Sequence, residues 1–194
     1  MRERLIIALD GHDGAGKSTL AAALATRLGG MAVRPFSGSI GTELLRVGAN
    51  RDVVELVKIG STAIENAVSS VPGNIPIVLD RGWMTVASFV PESAEFCSQW
   101  NTWIPTVLCW AELNITQARL AIRGDEHSET LEWHEYYLAV YLDLAKRSGS
   151  PILRTDLMDH ESCIKQLVTW VMEGRVVSNL NPDTIGLGSK KPPK

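Results

Sequence analysis

Leu5-Ile-Ile-Ala-Leu-Asp10-Gly-His-Asp-Gly-Ala-Gly-Lys-Ser-Thr-Leu20 is the stretch that decides the fold. Leu5 to Leu9 reads as a buried strand, and Leu20, Leu24 and Leu28, spaced four apart, carry a helix away from the polar segment between them. That segment is G-x-x-x-x-G-K-S from Gly11 to Ser18, the P-loop pattern in the strand-to-helix context it requires. Gly11, Gly14 and Gly16 permit backbone conformations that a Cβ forbids. The loop, with Asp13 and Ala15 within it and Thr19 beyond, can therefore turn its N–H groups onto a polyphosphate such as that of ATP. Lys17 adds a compact charge for the β- and γ-phosphates, and the Ser18 hydroxyl is placed for Mg²⁺. The positive end of the helix that starts here favours the same anion.

The rest of the composition sets bounds. At 194 residues, with 45% hydrophobic and 21% charged residues, the chain suits one globular α/β domain. We expect that domain over residues 1–176 and a flexible basic tail over 177–194, where Asn, Pro and Gly give way to a closing Lys-Lys-Pro-Pro-Lys. A net charge of −3 argues against a protein that mainly grips nucleic acid nonspecifically, although a local basic groove would escape that test. Cys97, Cys109 and Cys163 are scattered and odd in number, which fits reduced thiols in a cytoplasmic protein. No leader pattern is visible and no apolar run approaches the ~18 residues of a membrane span, so no membrane partner is expected.

Strands and helices alternate along the chain. Met31–Val33 reads as a second strand, Arg34–Gly41 as a loop, and Thr42–Val47 as a short helix carrying Arg46. Asp52 caps a longer amphipathic helix. Ile75–Leu79 is an apolar strand ending in Asp80-Arg81-Gly82, and a carboxylate at that strand end is what the Mg²⁺ side of a P-loop site needs. Between Trp83 and Trp103 the spacing of Phe89, Phe96, Trp100 and Trp103 suits one helix face, either packing the core or offering rings to an acceptor base. Strands over Pro105–Trp110 and Pro151–Thr155 follow, with helices over Asn114–Arg123, Leu131–Arg147 and from Asp159 onward. Trp133, Tyr137, Tyr141 and Leu144 form the inward stripe of the second of these helices. This order predicts a three-layer α/β fold, a five-stranded parallel sheet with helices on both faces and the ligand at the strands' carboxyl ends. His127, His134 and the His160-x-x-Cys163 pair do not complete a zinc site, and Asp125, Glu126 and Glu129 read as a solvated face.

From Leu5 to about Arg175 the residues resemble the thymidylate kinases and their P-loop nucleoside and nucleotide kinase relatives. Leu9-Asp-Gly-His-Asp-Gly-Ala-Gly-Lys-Ser-Thr19 is similar to the family's E-G-x-D-G-A-G-K-S-T. Arg34-Pro35 to Arg46 is similar to its R-E-P-G-G-T…G-E…R segment, and Asp80-Arg81 to its Asp-Arg pair. Arg119-x-x-x-Arg123 and the polar sequence after it resemble an arginine-bearing lid, over about 119–130. The resemblance implies ATP and Mg²⁺ as cofactors and a nucleotide- or nucleoside-like acceptor. It implies acceptor contacts from Asp13, Phe36, Arg46, Arg81 and Trp83, and Arg119 and Arg123 closed over the transferring phosphoryl. A homodimer is among the assemblies it implies. Position 14 is Gly and not Arg, which matches the branch whose lid supplies the catalytic arginine.

The departures all fall on the acceptor side. Arg34-Pro35-Phe36 lacks the Glu of R-E-P, the helix that should present an arginine to thymidylate offers Lys58 to Thr62, and Gly82 and Val90 replace an aromatic and a polar residue. Two kinase readings result. In one, the acceptor is thymidylate or a modified pyrimidine nucleotide, whose phosphate needs no base. In the other it is a hydroxyl on a nucleoside, a small metabolite or a hydroxymethylated pyrimidine in DNA, and a carboxylate from Asp10, Asp13 or Asp80 takes the proton. Asp10 and Asp13 have a simpler alternative, anchoring the loop through bonds to backbone N–H groups. A nucleotide-dependent switch is a third reading, against which Arg119 and Arg123 argue.

Overall fold

The computed structural model describes residues 4–124 and 129–176; the expected tail and residues 125–128 of the expected lid, with Asp125, Glu126 and His127, lie outside the described residues. Five parallel strands, β1 (Ile6–Asp10), β2 (Met31–Val33), β3 (Ile77–Asp80), β4 (Thr106–Trp110) and β5 (Ile152–Arg154), pair in the order β2-β3-β1-β4-β5. β1 is central and apolar because it is covered on both sides. Alternation sorts its residues: Ile7 and Leu9 face one layer and Ala8 the other. The first layer is α1 (Lys17–Arg27) and α8 (His160–Met172), packing Leu20, Leu24, Ile164 and Leu167. The opposite layer is built from α2 (Ser39–Asn50), α3 (Val53–Ser69), α4 (Trp83–Ala87), α5 (Ala94–Gln99) and α7 (Leu131–Ser148). Helix α6 (Leu113–Arg123) follows β4 at the carboxyl edge of the sheet. The expected caps form: Asp52 accepts from Glu55 N at 3.1 Å, and Asp159 from Ser162 N at 2.8 Å.

Two expectations need correction. The aromatic residues from Trp83 to Trp103 do not share one helix face: Pro91 interrupts the chain, Ser93 caps the new helix α5, and Phe89 falls between α4 and α5. Trp83 is fully buried and meets Trp103 edge-on at 5.1 Å, while Phe96 stacks on Trp100 at 5.1 Å, so these rings pack the core. The helix expected from Thr42 begins three residues earlier and runs to Asn50, placing Leu44 and Val47 inward and Arg46 on the exposed face. Cys97, Cys109 and Cys163 are all buried free thiols. No helix among the described residues is long and apolar enough to cross a membrane.

Candidate active site

The P-loop, Gly11 to Gly16, leaves the carboxyl end of central β1 and enters α1 at Lys17. Gly11 has φ 138°, and a Cβ there would stand 2.2 Å from the Cys109 carbonyl oxygen, so the loop leaves the sheet through a position no other residue fits. Lys17 is 5% exposed; its Nζ donates to the His12 carbonyl at 2.8 Å and lies 3.6 Å from Asp13 Oδ1. Burial pushes the Lys17 ammonium down to about 8, Arg81 adds to this, and Asp13 and Asp80 oppose it.

Three carboxylates meet at this end of the sheet in different environments. Asp10 is fully buried: Oδ2 accepts from Gly82 N at 2.9 Å and Met84 N at 3.1 Å, and Oδ1 accepts from Thr85 Oγ1 at 2.6 Å. These bonds fix the turn from β3 into α4. Burial raises its pKa, against the opposing bond from Thr85. Of the two readings of Asp10, candidate base and anchor, these bonds match the second, since both oxygens are engaged by backbone and hydroxyl donors. Asp10→Ala should therefore leave two buried N–H groups and one hydroxyl without an acceptor, at about 1–3 kcal/mol each. Urea unfolding should show a free energy of unfolding lower by several kcal/mol, at about 1–3 kcal/mol for each unpaired donor, with Asp10→Asn, which keeps one acceptor, intermediate; unchanged stability in both would deny the anchoring role.

Asp13 carries a half-exposed side chain and accepts a hydrogen bond from Arg81. Burial alone would raise its pKa, but Arg81 and Lys17 outweigh it and hold the carboxylate well below its ordinary range. Arg81 adopts φ 85°, a left-handed conformation costly for a side chain with a Cβ, at the junction where its guanidinium reaches the P-loop. Asp80 accepts from Arg34 Nε at 2.6 Å through Oδ2, while its other oxygen, Oδ1, is buried without a protein partner among the described residues.

Two openings flank the loop. On one side a cavity of about 260 Å³ is lined by His12, Asp13 and Arg81 at its polar end and by Phe36, Leu44, Phe89, Trp133, Tyr137 and Tyr141 around it. Its roof is the first half of α7, seated by a 2.8 Å hydrogen bond between His12 Nε2 and His134 Nδ1 that joins residues 122 positions apart. Burial pushes the His12 imidazole down to about 3, so it is neutral in this pair. On the other side a cleft of about 210 Å³ is lined by Gly16, Thr19, Arg119, Arg123, Thr155 and His160.

The site residues read from the sequence divide between these places. Asp13, Phe36 and Arg81 come together at the cavity, with Lys17, Ser18 and Asp80 at the adjoining loop and strand end. Arg46 does not come with them; it faces away on α2 and pairs with Glu43 at 2.6 Å. Trp83 belongs to the core. Arg119 is held behind the loop, donating to the Gly14 carbonyl at 3.1 Å, to Thr155 Oγ1 at 3.0 Å and to the Thr155 carbonyl at 2.7 Å. It braces the P-loop, where the sequence suggested a lid over the reacting group, and Arg123 lines the same cleft from an exposed position. Sequence reading missed His12, His134 and the use of Trp133 and Tyr137 as cavity walls. The signal present was the density of rings between Trp133 and Tyr141 on one helix.

No family model matches the chain, and no curated protein matches it. Among solved structures, a deoxyadenosine kinase from M. mycoides with bound dATP superposes with a TM-score of 0.64 at 16% identity, covering 87% of this chain and 100% of that one. A thymidylate kinase from Candida albicans superposes with a TM-score of 0.62 at 13% identity, covering 97% of this chain and 96% of that one. The YorR protein from Bacillus subtilis, in complex with phosphorylated GDP, gives 0.57 at 19% identity over 87% and 96%. The likeness is one of fold: a three-layer parallel α/β sheet shared with P-loop nucleoside and nucleotide kinases.

Proposed function

We propose that this chain is an ATP- and Mg²⁺-dependent kinase that transfers the γ-phosphoryl group to a hydroxyl of a nucleoside-type acceptor held in the aromatic cavity. The observation that carries the reading is the Asp13–Arg81 pair, which closes the polar end of that cavity directly beside Lys17 of the P-loop. The fold neighbours, which include a deoxyadenosine kinase and a thymidylate kinase, agree with phosphoryl transfer on a nucleoside or nucleotide.

The charge around the cavity favours the hydroxyl acceptor. A phosphate monoester brings about −1.5 to −2 charges, and at ~4 Å each unit pair is worth about 4 kcal/mol in a partly screened site. Arg81 is the one cationic residue among the described residues lining the cavity, and Asp13 already neutralises it. Arg46, the second cation that a phosphate acceptor calls for, points elsewhere. A neutral hydroxyl meets no such conflict, and Asp13 accepts its proton.

In this mechanism Lys17 grips the β- and γ-phosphates from the loop, where its charge favours negative charge developing on the transferring group. The acceptor oxygen approaches from the cavity, its proton passes to Asp13, the new O–P bond forms and the bond from γ-phosphorus to the β-phosphate oxygen breaks, leaving ADP. Arg81 holds the Asp13 carboxylate in position at the cavity's polar end. The buried, unpartnered Oδ1 of Asp80 together with the Ser18 hydroxyl fits a hard divalent cation, so these two residues would hold Mg²⁺. When bound, the ion supplies charge neutralisation on the phosphate oxygens.

Arg34 occupies the other oxygen of Asp80, and its positive charge opposes a cation at Oδ1. Arg34→Gln should therefore tighten divalent binding to the nucleotide-free protein by roughly 2- to 5-fold, the worth of a partly exposed ion pair. Mn²⁺ titration followed by electron paramagnetic resonance reads this directly; equal affinity in both proteins would remove the competition.

The function is tested by incubating the protein with γ-labelled ATP, Mg²⁺ and, separately, thymidine, thymidine monophosphate and an oligonucleotide containing hydroxymethyluracil. Label on the thymidine hydroxyl is expected. Label on the existing phosphate would return the phosphate-acceptor reading, label on the oligonucleotide would move the acceptor into DNA, and release only as inorganic phosphate would refute the kinase.

A further inference from the structure

We propose that His12 and His134 are positioning residues through which a nucleotide in the P-loop holds down the roof of the cavity. A bound triphosphate fixes the His12 ring, and the hydrogen bond to His134 passes that restraint to the amino half of α7. This rests on the reading that the loop takes a triphosphate, but not on which acceptor the cavity holds.

His12 serves both sides at once. The P-loop pattern specifies nothing at position 12, so an imidazole there belongs to this chain and not to the motif. Its carbonyl accepts from Lys17 Nζ at 2.8 Å and from Ala15 N at 3.2 Å. Its ring reaches α7, where Nε2 lies 2.8 Å from His134 Nδ1 and the ring centroid 5.6 Å from that of Trp133. Both imidazoles are buried. Burial keeps the His12 ring uncharged, so its Nε2 either donates to His134 or accepts from it. One residue therefore carries the phosphate-binding lysine on its main chain and the roof on its side chain.

Helix α7 is held unevenly. Its carboxyl half sits in the core through Val140, Tyr141, Leu144 and Ala145. Up to Leu138, only His134 and Leu138 itself are buried, and Leu131 is 52% exposed. With so little apolar burial the amino half stands at the low-stability end of the helix, where one buried hydrogen bond weighs most.

The direction of the coupling follows from the bonds exchanged. When a triphosphate enters, Lys17 leaves the His12 carbonyl for phosphate oxygens, and the loop N–H groups gain charge-assisted bonds to the same anion. Several strong bonds replace one, so the loop is held more tightly and the His12 ring with it. Seating α7 on a ring already fixed costs less conformational entropy.

Hydrogen exchange of the amides over residues 134–139 reads the roof without any acceptor. It is measured with and without a non-hydrolysable ATP analogue and Mg²⁺, whose binding is followed by calorimetry. In the wild type the analogue should slow this exchange by at least about fivefold, the lower end of ordinary coupling between sites. His134→Leu, which keeps a buried apolar side chain but no hydrogen-bonding atom, should bring the ratio below about twofold. His134→Asn, whose amide stands near the place of Nδ1 and can donate or accept, should restore most of it. A merely structural role of His134 would speed exchange in both states and leave the ratio as in the wild type. That result, or wild-type exchange unchanged or faster on binding, would overturn the coupling while leaving the kinase intact. Equal loss in the Leu and Asn variants would assign the effect to packing of the ring and overturn the role of the bond. An analogue that does not bind would refute the triphosphate reading of the loop and the coupling together.

Discussion

Lys17→Ala is expected to lower kcat for phosphoryl transfer by at least ~10²–10³, the cost of removing one preorganised charge from a developing anion. The residue is buried and its ammonium has no replacement within the loop, since Arg81 is paired with Asp13 and Arg119 is fixed behind Gly14. Steady-state kinetics with the best acceptor reads the loss, and near-normal turnover would mean that the triphosphate lies elsewhere. The same lysine sets a pH dependence. Burial holds it down to about 8 in the empty loop, below the ordinary value of 10.5. As pH rises through 8 the empty site loses its charge, so binding of a triphosphate above that pH must draw in a proton and apparent ATP affinity falls. Below pH 8 the lysine is already charged and this contribution to affinity is flat. Calorimetry at pH 9 in two buffers of different ionisation enthalpy should show proton uptake by the wild type that Lys17→Ala lacks; equal uptake by both would assign the proton to another group.

Asp13→Asn has opposite effects on the two acceptor classes. Loss of the proton acceptor should lower transfer to a nucleoside hydroxyl by about 10²–10⁴, the range for a positioned general base. Arg81, no longer neutralised, becomes available to a phosphate, so the affinity for thymidine monophosphate should rise. Because Arg81 and Lys17 hold the Asp13 carboxylate below its ordinary range, removing its charge also lowers thermal stability, and the two acceptors are compared at a temperature where both proteins are folded. Parallel loss of affinity for both acceptors would indicate a damaged loop, and undiminished hydroxyl transfer would remove Asp13 from the chemistry.

The parts of the site legible in the sequence are those specified by neighbours in the chain. A strand, three glycines, Lys17 and Ser18 fix the loop within fourteen residues, Leu5 to Ser18, and Asp80 closes an apolar strand, whose pairing with β1 in place of β2 comes from the sheet order. What the sequence did not disclose depends on helix phase or on long-range contact. Arg46 turns outward because α2 begins at Ser39, and burial of Leu44 and Val47 then dictates the face left to it. Trp83 looked like a residue beside the acceptor, yet it opens a five-residue helix buried along its whole length. Resemblance to an arginine-bearing lid places Arg119 and Arg123 over the phosphoryl, but the face of α6 that carries them runs against the back of the P-loop and Thr155. The His12–His134 bond joins a loop to a helix that no local pattern connects, and it decides which turn of α7 covers the cavity. Trp133 and Tyr137 lie on the stripe read as core, but near the start of α7 that stripe passes over the cavity.

Crystals of the protein grown with a non-hydrolysable ATP analogue, Mg²⁺ and thymidine give the most direct test. The expected density places the γ-phosphate against Lys17, a metal ion between Ser18 and Asp80, and the nucleoside ring between Phe89 and Trp133 with its hydroxyl at Asp13. An empty loop from Gly11 to Ser18, or a nucleoside seated outside the aromatic cavity, would contradict the account.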